Sequence, residues 1–99
     1  MKKKISILGS TGSIGKNGLD VVSLFEDKFE IVALSANNNY KALIEQARQY
    51  KPKYVCVGTE EGYKEAKKEL NGVTVFMGEE GLREIGKLEE HDILLTAVM

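Results

Sequence analysis

The chain has 99 residues, enough for one compact domain, with 42% hydrophobic and 29% charged residues in the ordinary globular range. Its 14 basic and 15 acidic side chains give a net charge of -1, which excludes the basic footprint of a nucleic-acid or anionic-membrane binder. One cysteine cannot form an internal disulfide, and no apolar stretch approaches the roughly 20 residues of a membrane span, so the expected location is the cytoplasm.

Lys2-Lys3-Lys4 reads as a solvated lead into a first strand at residues 4–8, since the apolar run that follows is too short for a signal peptide. Gly9-Ser10-Thr11-Gly12-Ser13-Ile14-Gly15 comes next, and then Ile14, Gly18, Val21, Val22 and Phe25 recur with the spacing of one helix face. Residues 29–34 form a second strand, and Ser35-Ala36-Asn37-Asn38-Asn39 a polar turn. Tyr40, Leu43, Ile44, Ala47 and Tyr50 mark the inner side of a second helix, which Pro52 closes by disfavouring helical backbone at the residue before it. A third strand covers 53–57. Thr59 is the expected N-cap of a third helix, with Glu60 and Glu61 at its positive dipole end. A short strand at 73–77 precedes a weak helix through Leu82, Ile85 and Leu88, weakened by Gly81 and Gly86. Residues 92–98 complete the set as an apolar strand, expected to be buried on both faces.

Strands alternating with amphipathic helices imply an α/β fold: a Rossmann-like doubly wound parallel sheet in three α/β/α layers, with about five strands and four helices. One domain fills residues 1–99. Because a doubly wound domain covers its last strand with a further helix, the chain is expected to be a fragment of a longer one.

The glycine loop lies on the first βα turn, where G-x-x-G-x-x-G spacing has a physical use. Gly9 permits a sharp exit from the strand, Gly12 lets a pyrophosphate approach the backbone, and Gly15 lets the helix pack closely. The helix start offers free N–H groups and partial positive charge to phosphates. Gly-Ser-Thr-Gly is also ordinary loop composition, and its position is what favours a nucleotide over a bare connection. An NAD site carries a carboxylate after the second strand to hold the ribose 2′-hydroxyl. Here Ser35-Ala36-Asn37-Asn38-Asn39 has none, which leaves room for a 2′-phosphate and favours NADP, with Lys41 nearby. Each asparagine is equally explained as a turn former.

These residues resemble a known family. The glycine loop followed by Leu19-Asp20-Val21-Val22, then Val32-Ala33-Leu34-Ser35-Ala36, Pro52-Lys53-Tyr54 and Leu95-Thr96-Ala97-Val98, are similar to the amino-terminal part of the 1-deoxy-D-xylulose 5-phosphate reductoisomerases. The resemblance covers the whole chain. It implies an NADPH-dependent enzyme with a divalent metal (Mg or Mn), forming 2-C-methyl-D-erythritol 4-phosphate in non-mevalonate isoprenoid synthesis. It also implies a homodimer acting on a phosphorylated sugar. The cofactor-binding positions it implies are Gly9, Thr11, Gly12, Ser13, Ile14, Ala36, Asn37, Asn38 and Asn39. The sequence departs from the family at Asn38, where a lysine or arginine is usual, and at Gly18, where threonine is common. The metal carboxylates, substrate-phosphate site and active-site loop fall beyond Met99. The full-length protein is therefore expected to be an enzyme and this piece to be inactive.

No catalytic or metal-binding residue is assigned within the chain. The carboxylates at 60, 61, 65 and 69, and again at 79, 80, 84, 89 and 90, read as solvated, ion-paired helix faces. Asp20 reads as structural. His91 precedes a strand at the sheet end away from the ligand, and Cys56 reads as core. Two rivals stand beside the reductoisomerase reading: a stand-alone nucleotide-binding module, and another G-x-x-G-x-x-G dehydrogenase such as a semialdehyde dehydrogenase.

Overall fold

The computed structural model describes residues 2–97. Its elements follow in strict alternation: β1 (Lys3–Leu8), α1 (Ser13–Leu24), β2 (Phe29–Ala36), α2 (Tyr40–Tyr50), β3 (Tyr54–Val57), α3 (Glu60–Glu69), β4 (Thr74–Met77), α4 (Gly78–Gly86) and β5 (Ile93–Thr96). The five strands form one sheet in the order β4-β3-β2-β1-β5, every pair parallel. Parallel strands need crossover helices, and right-handed crossovers assign the faces. From β1 to β4 the chain steps always in one direction, so α1, α2 and α3 share a face. It then returns past β1 to β5, which puts α4 on the other.

The packing agrees. Leu19, Val22, Leu43, Ile44, Ala47 and Ala66 of the first three helices, with Leu70 just after α3, join Ile5, Ile7, Leu34, Val55 and Val57 in the main core. Ile85, with Leu82 and Leu88 beside it, packs on Leu8, Ala33 and Cys56 across the sheet. The topological switch point lies between β1 and β5, because the connection leaving β1 and the one leading to β5 run on opposite faces of the sheet.

Several expectations need correction. On α1 the buried residues are Gly15, Leu19 and Val22, whereas Ile14, Val21 and Phe25 are exposed. The inner face is therefore turned by about one residue, because Leu19 and Val22 are the side chains that pack into the main core, while Gly18 lies at the border of that face, close to Leu95 of the edge strand. The second strand runs two residues further than the hydrophobic run, since Ser35 and Ala36 pair with Cys56 and Val57 of β3. A register shift in the β1–β2 ladder makes Val32 an extra residue, so Ile31 and Leu34 share a face although they are three apart. The last strand is not buried: Ile93, Leu94 and Leu95 are 36–43% exposed, because β5 is the sheet edge beyond β1. Val98 of the expected last strand lies outside the described residues.

Helix ends follow local chemistry. Thr59 caps α3 by accepting the Gly62 N–H at 3.0 Å. Asn39 caps α2 by accepting the Ala42 N–H at 3.3 Å. Lys51, before Pro52, ends α2 in the left-handed region (φ 51°, ψ 55°), its N–H bonded to the Ala47 carbonyl. Gly81, which weakens α4 on propensity alone, packs where a Cβ would press on Phe76 and Cys56. Close helix–sheet approach outweighs the propensity cost. Among the described residues no helix is long and apolar enough to cross a membrane.

Candidate functional site

The carboxyl ends of the strands surround a cavity of about 460 Å³. Its walls include Gly9, Thr11 and Gly12 after β1, Ser35, Ala36 and Asn37 at the end of β2, and Val57 and Gly58 at the end of β3. Cys56 of β3, Gly78, Glu79 and Leu82 of α4 and Ala97 after β5 complete it. Ligands of open α/β sheets bind at this end.

The glycine loop is shaped as its spacing requires. Gly9 has φ +81°, a conformation that strains residues with a Cβ. Gly12 is the N-cap of α1 and offers no side-chain cap, which leaves the first-turn N–H groups without a side-chain acceptor. A Cβ on Gly12 would make only ordinary contact with the Gly9 carbonyl. Gly15 differs: a Cβ there would overlap the Gly9 carbonyl and Ser10 Cα. Gly12 therefore keeps space open towards the cavity, while Gly15 lets the loop fold onto the helix.

The loop is also fastened to its neighbours. The Gly9 N–H donates to Ser35 Oγ at 2.8 Å, and the Ser10 N–H donates to the Ser35 carbonyl at 2.8 Å. The fully buried Ser10 hydroxyl donates to Gln46 Oε1 at 2.7 Å, with the Ser35 carbonyl 3.2 Å away. Gln46 Nε2 donates back to the Ser10 carbonyl at 2.9 Å.

The structure brings together five of the nine expected cofactor positions, Gly9, Thr11, Gly12, Ala36 and Asn37, around one cavity. Ser13 and Ile14 form the exposed first turn of α1 beside it. Asn38 and Asn39 are exposed outside the lining, and Asn39 is engaged as a cap. Sequence reasoning missed Gln46 and Gly58. Gln46 sits at the border of the α2 inner face, between Leu43 and Ala47, where a polar residue with a buried edge is a signal. Gly58 follows an apolar strand as Gly9 does. A Cβ on it would overlap Asn37, whose carbonyl accepts the Gly58 N–H at 2.9 Å.

The other titratable groups lie elsewhere. Cys56 borders the cavity but is 2% exposed, and burial pushes its thiol up to about 11, so it is no thiolate nucleophile. His91 Nδ1 lies 2.9 Å from the buried Ser6 Oγ, before β5 at the opposite end of the sheet. Glu90 is not on a helix face. It accepts from Tyr54 Oη at 2.6 Å and Lys53 Nζ at 2.9 Å, and these two hydrogen bonds hold its carboxyl below the usual range. Glu69 pairs with Arg48 of α2 at 2.7 Å, while Glu60 with Lys64 and Glu79 with Arg83 are exposed i,i+4 pairs. Among the described residues no three His, Cys, Asp or Glu side chains are grouped to hold a metal.

A parallel, doubly wound sheet with a glycine loop at its switch point defines a Rossmann-like α/β domain. The sequence profile of 1-deoxy-D-xylulose 5-phosphate reductoisomerase matches residues 5–99, and the chain belongs to that family. It is 41% identical to the 1-deoxy-D-xylulose 5-phosphate reductoisomerase of Thermodesulfovibrio yellowstonii, an alignment covering 98% of this chain and 26% of that protein. With the enzyme of Halothermothrix orenii the identity is 45%, over 100% of this chain and 26% of the relative. The chain thus spans about a quarter of the length of the curated relatives it matches. Among solved structures, a DOX-P reductoisomerase in complex with NADPH, fosmidomycin and magnesium superposes with a TM-score of 0.92 at 26% identity, covering 97% of this chain and 24% of that one. The Zymomonas mobilis enzyme in complex with NADPH gives a TM-score of 0.84 at 28% identity, covering 91% and 24%.

Proposed function

We propose that this chain is the NADPH-binding part of an NADP-dependent reductoisomerase that converts 1-deoxy-D-xylulose 5-phosphate to 2-C-methyl-D-erythritol 4-phosphate. The observation that carries the reading is the uncapped, glycine-built start of α1 at the switch-point cavity of a chain from this family. In it, the N–H groups of Ser13 and Ile14 and the Thr11 hydroxyl hold the pyrophosphate, with Gly9 and Gly12 giving it backbone access. Ala36, Asn37, Asn38 and Asn39 border the adenosine ribose, where side-chain amides donate to a 2′-phosphate and the turn itself carries no carboxylate. The bound nicotinamide supplies hydride. The residues of this chain bind and orient it; the carboxylate in the cavity lining, Glu79, is exposed and faces Arg83.

The same reading makes residues 1–99 one domain of a cytoplasmic, homodimeric enzyme. Its phosphorylated sugar substrate and a divalent metal are held by residues outside this chain. A fluorescence titration with NADPH and, separately, NADH tests the part present. Saturable binding with NADPH favoured by about tenfold or more supports it. Equal affinity for both overturns the NADP assignment, and no binding of either overturns a preformed site.

A further inference from the structure

The two halves of the cavity are carried by different segments, the glycine loop after β1 and the β2–α2 turn. One side chain outside the cavity lining joins them. Gln46, on α2, makes two reciprocal hydrogen bonds to a single residue of the loop, accepting from Ser10 Oγ and donating to the Ser10 carbonyl. The carbonyl can only accept, so the amide orientation is determined by chemistry. Ser10 has no exposed surface, and its N–H and hydroxyl both lie against the Ser35 carbonyl of β2. Without Gln46 the Ser10 carbonyl has no other donor among these bonds, and a buried unpaired carbonyl is costly enough to drive the loop out of this conformation.

We infer that Gln46 is a positioning residue for the nucleotide: through Ser10 it locks the glycine loop in register with the β2–α2 turn, so that the loop N–H groups and Asn37 face one ligand. The inference rests on the NADPH-binding reading. Its energetic content is a population: a loop that occupies its binding conformation only a fraction of the time binds with its dissociation constant raised by the inverse of that fraction. A residue that only supported the fold would lower stability and leave affinity unchanged.

The test uses this chain with Gln46→Met, which keeps side-chain length while removing both bonds, and Gln49→Met as an exposed control on the same helix. Amide exchange at Gly9 and Ser10 is read without nucleotide, and NADP⁺ affinity is read by calorimetry. Gln46→Met is expected to speed exchange at Gly9 and Ser10 by about tenfold relative to β3 amides and to weaken NADP⁺ binding by a similar factor. Gln49→Met changes neither. Gln46→Glu supplies a second readout. Its carboxylate opposes the Ser10 carbonyl, but protonation restores a donor, so affinity relative to the parent chain recovers as pH falls towards about 4.3. Faster unfolding with unchanged loop exchange and affinity in Gln46→Met, or no pH-dependent recovery in Gln46→Glu, overturns the inference. A parent chain that binds no NADP⁺ while Gln46→Met still loosens the loop overturns the nucleotide reading instead, which separates the two failures.

Discussion

Gly12 and Gly15 look equivalent in a motif but differ in what a methyl group would meet. At Gly15 the new Cβ would collide with backbone of Gly9 and Ser10, which cannot move aside cheaply. Gly15→Ala is expected to destabilise the chain by about 2–3 kcal/mol in urea unfolding. At Gly12 the space is open, so Gly12→Ala is expected to cost less than about 1 kcal/mol, chiefly as a poorer N-cap. Nucleotide affinity should nonetheless fall by about tenfold or more, because the Cβ enters the phosphate approach. Equal stability losses in the two variants would contradict this division of roles. Lys51 is a third informative position, the only described non-glycine residue with positive φ. A left-handed conformation costs about 1–2 kcal/mol, and the flexibility of glycine in the unfolded chain offsets part of any relief. Lys51→Gly is therefore expected to raise stability by about 0.5–1 kcal/mol, measured by thermal or urea unfolding.

At the scale of elements, the connection from α4 to β5 is tied to β3 by Glu90, which joins Tyr54 and Lys53. Glu90 is held below its usual range by the two hydrogen bonds, so its contribution is present above the unfolded carboxyl value of about 4.3 and is lost as pH falls through the lower folded value. Lys53 and Tyr54 are both held above their usual values by hydrogen bonding to Glu90. Their contributions are present below the unfolded values of about 10 and are lost as pH rises through the folded ones. The stability gap between the parent chain and Glu90→Gln should therefore be widest from about pH 5 to 9 and narrow towards both extremes. A gap independent of pH would mean that these bonds do not persist in solution. By spacing alone Glu90 reads as part of a solvated helix face with four nearby carboxylates, Glu79, Glu80, Glu84 and Glu89. The helix ends at Gly86, and the partners of Glu90 lie more than thirty residues away.

Across the whole molecule, apolar exposure is concentrated on one flank. Ile14, Val21 and Leu24 of α1, Phe25 at its C-cap, and Ile93, Leu94 and Leu95 of β5 are all exposed, and Leu95 packs beside Gly18 of α1. Strands β4 and β5 are the two sheet edges. Large apolar patches and open edges promote association. In sedimentation velocity the chain by itself is expected to self-associate as its concentration rises, and the pair Val21→Lys and Leu94→Lys to reduce this without lowering the melting temperature by more than a few degrees. A monomer at all concentrations would show that this flank is not adhesive.

The element order, the parallel sheet, the switch-point loop and five residues of the cavity wall were legible in the amino-acid order. Hydrophobic period, turn chemistry and capping residues are local, and a crossover between parallel strands has essentially one handedness. Thr59 as a cap and Cys56 as core followed from the same local rules. What only the tertiary structure decided depends on distant partners. Which side of α1 is buried was set by the packing of Leu19 and Val22 into the main core, and the parity of β2 by the extra residue Val32 in its ladder with β1. The length of β2 was set by pairing with β3, and the exposure of β5 by its place at the edge. The bonds from Gln46 to Ser10 likewise join residues 36 apart, since a buried polar group takes whatever partner the packed elements bring within reach.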